Sequence, residues 1–88
     1  MTSNGKTRDQ IKQALENALR AEFPKDTVDI SDGFQENIHV LIVSRRFDGM
    51  AEQDKQDLLW NVIDRTDLNE DEKRLISLTL PYSPAQIK

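Results

Sequence analysis

The 88-residue sequence contains no cysteine, which excludes disulfides, thiolate metal sites and cysteine nucleophiles. That absence is compatible with a reducing cytoplasm, the expected compartment. Glycine is scarce, with three in all. Neither a Gly-x-Gly-x-x-Gly run nor a P-loop is present, so a phosphate-cradling loop is not expected. The longest apolar run, Val40 to Val43, has the length of a strand and not of a membrane span. Residues 1–6 lack the apolar stretch of a signal peptide and read as a disordered lead-in. Basic charge is also short: twelve Lys and Arg face sixteen Asp and Glu, for a net charge of −4. Phosphate-binding domains are usually basic, because counterion release drives their affinity, so the balance disfavours nucleic acid.

What is present fills one domain, residues 7–88, with no room for a second core. Thr7 and Gln10 have the form of a capping box. Ile11, Ala14, Leu15, Ala18 and Leu19 then recur at the spacing of one helical face, which Pro24 stops near Phe23. Val28 and Ile30 alternate with polar residues as in a half-buried strand. Asp32-Gly33 opens a loop suited to an antiparallel hairpin. Ile38 to Ser44 is apolar on both faces apart from His39, which marks a central strand. The sole histidine faces either the helices or the open side of the sheet.

After Arg45-Arg46-Phe47-Asp48-Gly49 a second helix carries Ala51, Lys55, Leu58, Leu59, Val62 and Ile63, with Trp60 on its flank. Asn69 to Glu72 caps a short helical turn ending near Arg74. Ile76, Leu78 and Leu80 alternate as a third strand that Pro81 is expected to end. Ser83-Pro84 suits a final short turn. The expected class is α+β in the order α-β-β-α-α-β. Its three-stranded mixed sheet has helices packed on one face. The helical crossover allows the second and third strands to run parallel, and it is then right-handed.

No catalytic pair, nucleophile elbow or EF-hand spacing is present, so an enzyme is not expected. Phe47 reads as a core anchor and Gly49 as a backbone requirement for positive φ. Arg45, Arg46, Lys55, Lys73 and Arg74 are candidates for a basic cluster at one end of the sheet, able to receive an acidic partner or a phosphate backbone.

The stretch from Asp32 to Gly49 resembles the BolA-like family: an acidic-Gly loop, an apolar strand ending in Ser44, then Phe47-x-Gly49 before a helix. The resemblance runs from about Arg8 to Pro84, and Ile76-Ser77-Leu78-Thr79-Leu80 is similar to the family's last strand. It implies a fold like that of class II KH domains. It also implies a small partner protein for monothiol glutaredoxins, in iron–sulfur trafficking, stress response or transcription regulation. The partner-binding candidates are then Arg45, Arg46, Phe47, Gly49, Lys55 and Gln56.

Typical members place a cluster-ligating histidine after a basic residue of the second helix, and a second His or Cys in the first hairpin loop. Here Lys55 takes the basic position, Gln56 the histidine position, and Phe34 stands in the loop. A glutamine amide is a poor iron ligand beside imidazole or thiolate, which argues against a shared [2Fe–2S] cluster. The expectation is a monomer or weak dimer that binds a protein partner and no membrane. The alternative is a nucleic-acid-binding regulator of KH-like fold, although the Gly-x-x-Gly loop of that mode is missing.

Overall fold

Capping and hydrophobic spacing set the first helix, α1 (Arg8–Glu22). In the computed structural model, which describes residues 6–35 and 37–87, the Gln10 amide N–H donates to Thr7 Oγ1 at 3.2 Å. The Thr7 N–H donates in turn to Gln10 Oε1 at 2.8 Å. Ile11, Leu15 and Leu19 are buried along one face, with Ala14 and Ala18 packed beside them. The helix closes where Phe23 N–H donates to Leu19 O at 2.8 Å, one residue before Pro24. Of the expected lead-in, residues 1–5 lie outside the described residues. Lys6 is held, its N–H donating to Glu72 Oε2 at 2.6 Å.

Strands β1 (Thr27–Asp32) and β2 (Ile38–Val43) pair antiparallel, from Thr27 opposite Val43 to Asp32 opposite Ile38. The hairpin is closed by Gly33 N–H donating to Asn37 O at 2.8 Å, and Gln35 takes a left-handed φ of 58°. A 3₁₀ turn (Arg45–Phe47) follows, then α2 (Glu52–Asp64), the short α3 (Glu70–Lys73), β3 (Ile76–Tyr82) and a second 3₁₀ turn (Pro84–Gln86). The sheet order is β1-β2-β3, and β3 lies parallel to β2. The expected α+β order and mixed sheet are thus observed.

The core lies between one face of the sheet and the helices. Ile38, Val40 and Ile42 of β2 meet Ile11, Leu15 and Leu19 of α1 and Leu59, Val62 and Ile63 of α2, with Phe23 and Phe47 wholly buried among them. Burying a side chain of this size stabilises the fold by about 1.5–3 kcal/mol.

The third strand departs from its sequence reading in two ways. A bulge at Ser77 shifts the register, so Ile38 pairs with Ile76 but His39 pairs with Leu78. One extra residue reverses the parity of everything that follows. Leu78 and Leu80 therefore share the open face with His39 and Leu41, while Thr79 and Pro81 share the core face with Val40 and Ile42. Pro81 also does not end the strand. It is buried opposite Ile42, and the strand continues to Tyr82. An edge strand tolerates proline, because its missing N–H is not needed by a further neighbour.

His39 settles on the open face, with its ring against Gly33. A Cβ built at Gly33 would lie 2.5 Å from His39 Nε2, so the close approach explains why glycine occupies that turn.

Candidate partner-binding surface

The candidate surface starts where β2 runs out. Ser44, buried and extended, accepts a hydrogen bond on Oγ from Arg46 N–H at 3.0 Å. This bond caps the 3₁₀ turn and fixes the directions of the next three side chains. Phe47 enters the core, its ring centroid 5.8 Å from that of Phe23. Arg46 lies over the Phe23 ring at 4.7 Å and pairs with Glu22 at 2.9 Å, a stacked and paired arrangement suited to guanidinium. Arg45 is exposed. Gly49 then turns the chain at φ +75°, a left-handed value at which only glycine is free of strain, and α2 begins.

An open cleft of about 420 Å³ lies at this end of the sheet. Lys25, Asp26, Val43, Arg45, Arg46 and Pro84 line it. The antiparallel register explains the grouping: Thr27 opposite Val43 sets Lys25 and Asp26 beside Ser44 and Arg45. Every other described lysine and arginine pairs with a carboxylate. Among the described residues, Lys25 and Arg45 have no such partner.

The remaining candidates are used differently. Lys55 is buried, with Nζ 3.0 Å from Glu52 Oε2 and donating to Gln86 Oε1 at 2.8 Å. It ties α2 to the last turn of the described chain. Gln56 donates through Nε2 to Thr79 O at 3.1 Å and accepts on Oε1 from Thr79 Oγ1 at 2.6 Å. Both ends of its amide are thereby engaged with β3. Phe34, at the hairpin tip, is 78% exposed. Phe47 has no surface to offer, since it lies wholly in the core.

Lys73 and Arg74 do not join Arg45 and Arg46. They precede β3, which starts beside Ile38, whereas the arginines follow Val43 at the other end of the same parallel pair. Lys73 contacts Asp64 at 3.1 Å and Arg74 contacts Asp71 at 3.2 Å. The candidate five-residue basic cluster is therefore not assembled, since Lys73 and Arg74 lie at the end opposite Arg45 and Arg46. Lys25 is the cleft residue that sequence reasoning missed. The usable signal is the hairpin itself, since counting back along β1 from the Asp32-Gly33 turn brings Lys25 level with the end of β2.

Hydrogen bonds from Lys12 and Arg8 hold the Asp32 carboxyl below its ordinary range. The backbone N–H groups of Lys6 and Asn69 do the same for Glu72. The Asp64 carboxylate beside Lys73 raises that ammonium. Among the described residues, no group of three or more His, Asp or Glu side chains is placed to hold a metal ion. No described helix is long and apolar enough to cross a membrane.

No protein-family model matches the chain, and no curated protein sequence does. A solved structure does match: the NMR structure of a BolA-like hypothetical protein from Rickettsia prowazekii. It is 24% identical, with a TM-score of 0.57, over 78% of this chain and 91% of that one. The three helices and three-stranded mixed sheet thus form a BolA-like fold. The family resemblance in the sequence and the likeness in three dimensions point to the same fold.

Proposed function

We propose that the chain is a BolA-like, non-catalytic adaptor that binds a protein partner through the surface beginning at Arg45. A monothiol glutaredoxin is the partner that the sequence resemblance implies. The observation that carries the reading is the Arg45–Gly49 turn. Phe47 anchors it to the core and Arg45 projects from it without a partner among the described residues, within the segment that carries the family pattern.

The adaptor supplies no ligand to a shared [2Fe–2S] cluster from the two usual positions. Gln56 spends its amide on Thr79, and Phe34 has no donor atom. Association therefore rests on protein contacts alone.

The test is size-exclusion chromatography of the chain mixed anaerobically with a monothiol glutaredoxin from the same organism, with and without reconstituted cluster. A complex should form in both states, and the visible absorbance should match that of the glutaredoxin's own cluster. Absence of a complex in both states defeats the reading. A new cluster spectrum that appears only in the mixture defeats the ligand-free part of it.

A further inference from the structure

Lys25 and Arg45 are the described cations that the fold leaves uncompensated, and both line one cleft. They come from different segments, the α1–β1 connection and the end of β2, and the hairpin register brings them together. In a chain of net charge −4, local positive potential survives where cations lack internal partners. Arg46 adds a third basic group at the cleft, with Glu22 on its guanidinium. The remaining lining is of three kinds. Val43 and Pro84 are apolar, Thr27 and Ser44 are hydroxyl residues, and Asp26 brings one carboxylate.

We propose that this cleft binds an acidic peptide segment of a protein partner, its carboxylates meeting Arg45 and Lys25. The inference rests on the adaptor reading and names the chemistry of the partner. A peptide suits all the walls: its carboxylates take the cations, its methylene stems pack on Val43 and Pro84, and its backbone N–H groups can donate to Asp26. Nucleic acid suits them less. Its affinity comes from many phosphate contacts and the counterions they release, and two free cations in an acidic chain supply few. A phosphate monoester also suits them less, because it brings two charges and no N–H donor to Asp26, whereas a peptide backbone offers donors there. No glycine lines the cleft to let backbone N–H groups converge on a phosphate.

The test is an NMR titration of the ¹⁵N-labelled full chain with blocked hexaglutamate, run beside inorganic phosphate and oligothymidylate. Hexaglutamate should cause saturable shifts confined to residues 25–27 and 43–46. The K25E/R45E pair should weaken it roughly five- to tenfold, as expected for two exposed ion pairs. The neutral K25Q/R45Q pair should give a smaller loss in the same direction, and it serves as the test if the charge-reversed chain fails to fold. Raising the salt should weaken binding in the unaltered chain.

Unchanged affinity in both variants overturns the inference, as does tighter saturation by phosphate or oligothymidylate. Glutaredoxin binding that survives K25E/R45E overturns the cleft assignment alone. Hexaglutamate binding by a chain that takes up no glutaredoxin overturns the glutaredoxin assignment and leaves the cleft standing.

Discussion

Gln56 and Thr79 are joined twice, by an amide N–H on the Thr79 carbonyl at 3.1 Å and by the Thr79 hydroxyl on the amide oxygen at 2.6 Å. The pair fastens α2 to the edge strand from the helix position where the family pattern has a metal-binding imidazole. The half-buried Gln56 amide is engaged at that junction. Each such bond contributes a net of about 0.5–1.5 kcal/mol. Gln56→Ala should therefore lower stability by about 1–2 kcal/mol, read from the urea midpoint. Gln56→His should lose both bonds and free a ring for metal, visible as a new cluster spectrum with glutaredoxin.

Phe47 and Arg45 are two residues apart and should respond oppositely to substitution. Phe47→Ala opens a cavity beside Phe23 in the centre of the core, at a cost of about 3–5 kcal/mol. Arg45→Glu touches no described partner and should leave the thermal midpoint nearly unchanged. A thermal melt of each variant checks both.

The two described glycines differ in what they avoid. Gly49 sits at φ +75° with open space around its Cα hydrogens, so Gly49→Ala should cost about 1–2 kcal/mol through backbone strain alone. Gly33→Ala meets the movable end of the His39 ring. Its effect should be smaller and should shift the His39 ring resonances in NMR, which Gly49→Ala should leave in place.

Acid should destabilise the fold through Asp32 and Glu72. Both carboxyls sit below their ordinary values when folded, so near pH 4 the unfolded chain holds more protons than the folded one. Their contribution is complete above the unfolded values and is lost as pH falls through the folded ones. Lys73 works with the opposite sign. Its raised value gives stability that is complete below the ordinary lysine range and is lost as pH rises through the folded value. Thermal midpoints measured across acid and neutral pH should decline toward acid. Asp32→Asn and Glu72→Gln should each flatten that decline.

Most of the fold was legible because its signals are local. The Thr7–Gln10 box and Pro24 bound α1, Asp32-Gly33 marks the hairpin, and Asn69 with Glu72 caps α3. The bulge at Ser77 was not legible. The Ile76–Leu80 alternation looks regular, and only pairing with β2 reveals the extra residue. The same distinction governs the site. The directions of Arg45 and Phe47 and the turn at Gly49 are set by neighbours in sequence, through the Ser44-capped turn. Gln56 finds its partner 23 positions away, and Lys55 adds to its Glu52 contact a bond to Gln86, 31 positions away, so the nearby chain did not show how fully their polar groups are occupied. Lys25 was missed for the converse reason, since it gains meaning only when β1 folds back on β2.

The most direct measurement is calorimetric titration of apo monothiol glutaredoxin into the unaltered chain and into Arg45→Glu under anaerobic conditions. The unaltered chain should bind without cluster, and the charge reversal should weaken binding while the melt stays unchanged. Equal affinity for both chains, or heat of binding only when glutaredoxin carries its cluster, contradicts a partner surface built on the Arg45 turn.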